Sequence, residues 1–193
     1  MDLDVFWDLL DESTHSASDQ RERRAWLTSR LALLLPGDIV GFEVLLSASR
    51  GRVNTFSHWH AAYVLCDGLC SAEQFFAFQS WLIGLGRDVL GSVASCPDAL
   101  AEVPAVRTLL AVGAQSWPDA AWPLWPGLER VPREAFFAAT GRSLDRALAI
   151  LGCVPVTDAG PFSGPVWDLD SPVEAAVRLP RLWELSGGQE KAA

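Results

Sequence analysis

Positive charge is scarce in this sequence: 15 Lys and Arg stand against 24 Asp and Glu, giving a formal net charge of −9. Lys191 is the only lysine. Binding to phosphates needs clustered Lys and Arg, so this balance argues against nucleic acids and anionic membrane surfaces as partners. No apolar run approaches the ~20 residues that a membrane-spanning helix requires. We therefore expect neither a nucleic-acid nor a membrane function.

Cysteines and catalytic motifs are scarce as well. The four cysteines are too few and too scattered for a disulfide framework, which indicates free thiols in a reducing compartment. Asp2 and Asp4 stand where an export signal would carry Lys or Arg. The patterns G-x-S-x-G, H-E-x-x-H and the phosphate-binding P-loop are missing. These absences predict a cytoplasmic protein without a cofactor, and they favour a protein that is not an enzyme.

Apolar residues, in contrast, make up half of the chain and include nine Trp, enough for a core without disulfide staples. They recur at helical spacing, and residues 154–157 are the one candidate for a short strand. The predicted fold class is all-α, or nearly so, as a compact single-domain multi-helix bundle. Within residues 1–193 we expect a helical core over 1–151, a C-terminal arm over 152–185 that packs on it, and a disordered tail over 186–193.

Local patterns mark individual helices. Asp19 with Glu22 resembles a capping box, and Ser71 with Gln74 resembles a second one. Another helix is expected from about residue 38 to 49, with a loop over 50–54 behind it. The basic cluster at residues 21–24 is short, and we predict that it forms one solvated face of a helix.

An irregular strap is predicted over residues 116–127. It holds three Trp-Pro pairs, and the residue before a proline is pushed out of the α-helical region. In one interpretation its indole side chains fold down onto the helical core. In the other they form an exposed aromatic patch that binds a protein partner. The candidate binding residues are Trp117, Trp122 and Trp125.

The arrangement His58-x-His60, followed by Cys66 and Cys70, invites a zinc hypothesis. On a helix, residues two apart point about 200° from each other, so the two histidines do not chelate one ion. A zinc site also needs a second pair of ligands at matching spacing, which the sequence lacks. We therefore predict no metal site.

A polar turn at residues 67–73 precedes an aromatic-rich helix that begins near Ser71. The start of that helix offers free N–H groups and the positive end of the helix dipole. In a catalytic interpretation Glu73 acts as an acid–base group and Arg87 anchors an anion, with Tyr63 as a third member. The competing interpretation is a capped helix with solvated charges.

Several blocks of the sequence follow the pattern of a known family. The blocks are Ala61-Ala62-Tyr63, Gly68 with Cys70-Ser71, Trp81-Leu82-Ile83, Gly86-Arg87, Cys96-Pro97-Asp98 and Leu179–Leu182. They resemble DUF4240, a family of bacterial proteins of unknown function. The resemblance spans most of the chain and is most specific between residues 68 and 87. It implies a helical fold and no particular activity.

The chain departs from the pattern of that family in its polar residues. Two Asp of the family are replaced by Ala72 and Glu73, and an Arg is replaced by Gln79. A chain that keeps the apolar framework and loses polar groups fits a scaffold better than a catalyst. The leading hypothesis is a non-enzymatic helical module that binds another protein, in a regulatory or immunity-type role, where an acidic surface complements a basic partner. The alternative is an enzyme or small-molecule binder with its site near Ser71.

Overall fold

The computed structural model describes residues 1–153 and 162–188, and within them it contains eleven α-helices and no strand. The prediction of an all-α fold is confirmed. One isolated parallel bridge joins Thr55 to Ser163. The short strand predicted at 154–157 lies outside the described residues. None of the described helices is long and apolar enough to cross a membrane.

The helices follow one another through connections of different lengths, and two of these connections contain 3₁₀ turns. These turns are Pro97–Glu102, Ala114–Ser116, Asp119–Ala121 and Leu128–Arg130. The α-helices are α1 (Leu3–Ser16), α2 (Gln20–Leu31), α3 (Pro36–Gly51), α4 (Phe56–Leu65), α5 (Ala72–Gly84), α6 (Arg87–Ser95), α7 (Pro104–Val112), α8 (Val131–Thr140), α9 (Leu144–Ile150), α10 (Pro172–Arg178) and α11 (Pro180–Leu185).

The capping box predicted at α5 is present, whereas only one of the two predicted hydrogen bonds forms at α2. Ser71 and Gln74 form the reciprocal capping box, with N–H···O distances of 2.9 and 3.2 Å. At α2 the Asp19 carboxylate accepts the N–H of Glu22 at 2.8 Å. The Glu22 carboxylate, however, turns to the backbone N–H and hydroxyl of Ser18 instead of returning to Asp19. Each cap satisfies a backbone donor and is worth about 1 kcal/mol.

The core forms around α4, which is buried on nearly every side. Helices α2 and α3 pack on α8, and α5 packs on α3, α4 and α6. The 3₁₀ turn Pro97–Glu102 lies between α4, α6, α7 and α11. The bulkiest fully buried side chains of this core are Trp125, Arg50, Phe6, Phe42, Phe75 and Phe78.

The predicted loop over 50–54 is wrong at its start, because α3 continues to Gly51. Arg50 therefore lies on the inner face of a helix, where its guanidinium donates to the Ser80 hydroxyl at 2.6 Å and stacks over the ring of Phe76 at 4.0 Å. Burial lowers the pKa of Arg50 to about 10, so the group stays charged at neutral pH. An aromatic ring and a hydroxyl inside the core accommodate a cation that the sequence pattern placed at the surface.

The prediction that the basic cluster forms a solvated face is also wrong for Arg23. The Arg23 side chain turns inward and donates to the Ser13 hydroxyl at 3.1 Å and to the Gly84 carbonyl at 3.1 Å. Its guanidinium lies 4.3 Å from the centre of the Trp125 ring. Arg23 thus connects α1, α2, α5 and the strap, because its long apolar stem spans the gap between them.

A buried carboxylate, Asp98, holds the end of the C-terminal arm to the rest of the fold. Asp98 accepts the backbone N–H of Leu182 at 2.9 Å and of Arg181 at 3.3 Å, and so caps the start of α11. The Arg181 guanidinium adds an ion pair to Asp98 at 2.8 Å and another to Glu102. Of the predicted tail, Ser186 still bonds to the end of α11, and residues 189–193 lie outside the described part of the chain.

Replacing Asp98 with Ala should lower the free energy of unfolding by about 3 kcal/mol, since several donors lose a buried acceptor. The matched variant Glu102→Ala removes the other carboxylate of Arg181, which is 61% exposed, and should cost about 0.5 kcal/mol or less. Urea unfolding measures both changes. Equal losses in the two variants would contradict a clamp centred on Asp98.

Candidate functional site

The turn between α4 and α5 shapes one wall of an open groove. Asp67 and Gly68 both adopt left-handed backbone angles, with φ of 54° and 82°. The Gly68 N–H returns to the Tyr63 carbonyl at 2.9 Å, which ends α4 and reverses the chain. Gly68 also lies against the Tyr63 hydroxyl, because a Cβ at this position would sit 3.5 Å from that oxygen.

The groove has a volume of about 590 Å³ and runs between α4, this turn and the strap. Trp59 is fixed at its base by a hydrogen bond from its indole N–H to the Cys70 carbonyl, at 2.9 Å. Leu69 stands on the rim with 55% of its surface exposed. The lining residues are aromatic or uncharged: Trp59, Tyr63, Gly68, Leu69, Cys70, Ser71, Gln74 and Trp122.

The three Trp of the strap have different environments. Trp125 is 1% exposed and donates to the Gln20 carbonyl at 3.1 Å. Trp117 is 7% exposed and donates to the Leu109 carbonyl at 2.9 Å. Only Trp122 is half-buried, packed edge-to-face on Trp117 at 5.2 Å, and it lines the groove. Two strap indoles therefore belong to the core, and the third lines the groove.

Tyr63 lines the groove and is hydrogen-bonded to the C-terminal arm. Its hydroxyl donates a short hydrogen bond to the Asp170 carboxylate. This bond raises the pKa of Tyr63 to about 12, and burial and the charges of Asp170 and Asp168 act in the same direction. Tyr63 is thus a neutral hydrogen-bond donor at physiological pH, held by the Asp170 carboxylate.

The structure does not bring Glu73, Arg87 and Tyr63 into one cleft. Glu73 is exposed in the first turn of α5, and Arg87 follows the far end of that helix, about 16 Å along its axis. Arg87 is paired instead with Asp4 of α1 at 2.7 Å. Of the three residues proposed for catalysis, only Tyr63 lines the groove at Ser71.

The two histidines of α4 point to different parts of the core. His58 donates from Nε2 to the Val93 carbonyl at 3.0 Å and accepts the Thr55 hydroxyl at Nδ1, at 2.6 Å. His60 accepts the indole N–H of Trp167 at 3.0 Å. Burial lowers the pKa of both histidines, so both are neutral at pH 7. No group of three or more candidate metal ligands occurs among residues 1–153 and 162–188.

Cys66 and Cys70, at the groove, are buried free thiols that share a hydrogen bond. A hydrogen bond with Cys70 raises the pKa of the Cys66 thiol, and burial raises it further. Cys66 therefore remains protonated at neutral pH and is a poor nucleophile. The two thiols behave as small apolar side chains of the hydrophobic core near Trp59.

Comparison with known families finds a match to most of the chain. The sequence profile of DUF4240, described as a protein of unknown function, matches residues 1–137. The chain belongs to this family. The match covers every residue that lines the groove and ends within α8, so α9, α10 and α11 lie beyond it. Neither the curated proteins nor the solved structures contain a significant match.

Sequence reasoning missed the carboxylates that border the groove. Asp168 and Asp170 lie more than 100 residues from Tyr63 along the chain, and no local pattern connects them. The signal that the sequence does carry is the spacing of Trp59 and Tyr63, which lie one helical turn apart and so share a face of α4. That face lies where the core meets the groove.

The different environments of the strap indoles predict different effects on stability. Trp125→Ala should reduce the free energy of unfolding by about 3–5 kcal/mol, because a fully buried ring is lost. Trp122→Ala should cost about 1–2 kcal/mol, because part of that ring already contacts water. Urea unfolding of the two variants measures the difference. Similar losses would show that Trp122 is a core residue, like Trp125.

Stability should also depend on pH through the buried histidines. Because their folded-state pKa values lie below the ordinary 6.5, the unfolded chain takes up protons first as the pH falls. The contribution present at pH 7.5 should therefore be lost below about pH 6.5. His60→Gln, which keeps an acceptor for Trp167, should weaken this pH dependence, and the exposed His15→Gln should not. Urea unfolding at pH 7.5 and 5.5 compares the variants, and an unchanged slope in His60→Gln would contradict the assignment.

Proposed function

We propose that the protein is a cytoplasmic, non-enzymatic module that binds another protein through the groove of Trp59, Tyr63, Leu69 and Trp122. The observation that carries this proposal is the half-buried Trp122, which the strap holds opposite Trp59 and Tyr63. Tyr and Trp side chains anchor protein interfaces because they offer large apolar area with a polar tip. Leu69 adds an exposed apolar side chain at the rim.

The walls of the groove are fixed before a partner arrives. Trp59 is held by the Cys70 carbonyl, and its ring packs 4.6 Å from that of Phe162. Tyr63 is held by Asp170, and Trp122 rests on the buried Trp117. Rigid anchors lose little conformational entropy on binding, which supports recognition of a partner by a preformed surface.

A small-molecule site is the second candidate. The groove lies at the start of α5, where Ser71 and Gln74 supply polar groups, and its volume falls within the roughly 300–1,000 Å³ of small-molecule pockets. The separation of Glu73 from Arg87 leaves this candidate without the acid–base and anion-binding groups that catalysis there would use. Binding without chemistry is the form of the second candidate that the geometry supports.

Site-specific photocrosslinking tests the proposed function. With p-benzoylphenylalanine in place of Leu69, irradiation of the living host should give a discrete protein adduct, because this position faces the groove. The same photoreactive residue in place of Val173, an exposed apolar position on α10, is the matched control. The Trp122→Ala substitution should weaken the adduct at position 69 at least several-fold while the fold, measured by circular dichroism, is retained.

Two outcomes would contradict a protein-binding module. One is the absence of a protein adduct at position 69, and the other is the same set of adducts at positions 69 and 173. The small-molecule candidate predicts the first outcome together with a bound metabolite, identified by mass spectrometry of the protein purified under native conditions.

A further inference from the structure

The groove combines aromatic walls with negative charge at one end. We infer that it receives a basic segment of the partner protein, with an Arg or Lys side chain lying against Trp59, Tyr63 and Trp122. This inference rests on the proposed function, and it names the chemistry of the occupant. The negative faces of aromatic rings attract cations, and Trp is the strongest of them.

The charged groups described next to the groove are carboxylates, which favour a cation as the occupant. None of the residues that line the groove is charged. Asp170 accepts the Tyr63 hydroxyl, and the charge of Asp168 also acts on that hydroxyl. Glu73 is exposed on the first turn of α5, next to Ser71 and Gln74, which line the groove. A basic side chain in the groove would thus find ring faces along its stem and carboxylates at its head.

The protein uses the same pairing three times within its own fold. Guanidinium groups stack on aromatic rings at 3.8 to 4.3 Å from the ring centres. The pairs are Arg23 on Trp125, Arg50 on Phe76 and Arg178 on Trp167. Within the described parts of the chain, no arginine stacks on Trp59, Tyr63 or Trp122. The aromatic surface of the groove therefore remains available for a cation from outside.

Long-range electrostatics points to the same kind of partner. The formal net charge of −9 attracts a basic segment and repels acidic segments and nucleic acids. A Lys or Arg side chain also suits the shape of the groove, because its apolar stem can cover the ring faces and Leu69 while its charged head stays near water. The occupant is thus a basic stretch of protein whose Lys or Arg side chains each combine an apolar stem with a positively charged end.

A defined peptide tests the inference without knowledge of the natural partner. The probe is a ten-residue Gly/Ser peptide with two Arg and two Lys, and the control peptide carries Gln at those four positions. Binding is followed through the indole N–H signals of protein labelled with ¹⁵N-Trp, with the Trp122 signal assigned by its loss in Trp122→Phe. The basic peptide should shift the Trp122 signal in a saturable, salt-sensitive manner, and the Gln peptide should not.

Matched variants separate the local groups from the net charge. Asp168→Asn and Asp170→Asn should each raise the Kd of the basic peptide about two- to fivefold, and Trp122→Leu should do the same by removing the ring face. Asp8→Asn changes the net charge equally, on the exposed face of α1, and should leave the Kd within about 1.5-fold. Asparagine at position 170 keeps an acceptor for the Tyr63 hydroxyl.

The peptide experiment tests the cationic occupant, and the photocrosslinking experiment tests the protein partner, so the two can fail separately. Equal binding of the Gln peptide, or the same Kd change in Asp8→Asn as in Asp168→Asn, would overturn the cationic occupant. A protein adduct at position 69 would still stand in that case. Absence of every adduct at position 69 would instead remove the protein partner, whatever the peptide does.

Discussion

Burial of α4 on nearly every side constrains the rest of the structure, because the polar side chains that this helix carries inward depend on hydrogen bonds to other segments. His58 needs the Val93 carbonyl at the end of α6, and His60 needs the indole of Trp167 from the arm. Trp59 needs the Cys70 carbonyl of the following turn. The positions of α6, the arm and the turn are thus tied to the hydrogen bonds of one central helix.

The arm closes the side of α4 that the other helices leave open. Phe162 packs on Trp59, and Trp167 packs on Phe56 at 4.7 Å between ring centres. At the far end of the arm, Asp98 caps α11 from within the core. An aromatic layer and a buried carboxylate together hold a segment that would otherwise gain too little from its own short helices to stay ordered.

The groove begins where this covering of α4 ends. Trp59 and Tyr63 emerge from the core there, Trp122 faces them from the strap, and Asp170 holds the tip of Tyr63. Neighbouring residues of the strap have different places in the structure, since Trp125 and Trp117 belong to the core and Trp122 lines the groove. A substitution at Trp122 can therefore alter binding while the fold persists, which makes the proposed function separable from folding in an experiment.

The sequence by itself determined the all-α class, the capping box at Ser71 and the helix face shared by Trp59 and Tyr63, because these depend on residues within one or two helical turns. It also determined the acidic character, and so the sign of charge that suits a partner. Only the tertiary structure decided which strap indole is accessible, that Arg23 and Arg50 point inward, and that Asp168 and Asp170 approach Tyr63. The physical reason is distance along the chain: burial, ion pairing and groove formation depend on contacts between segments that are in several cases more than 100 residues apart, and local spacing carries no information about them.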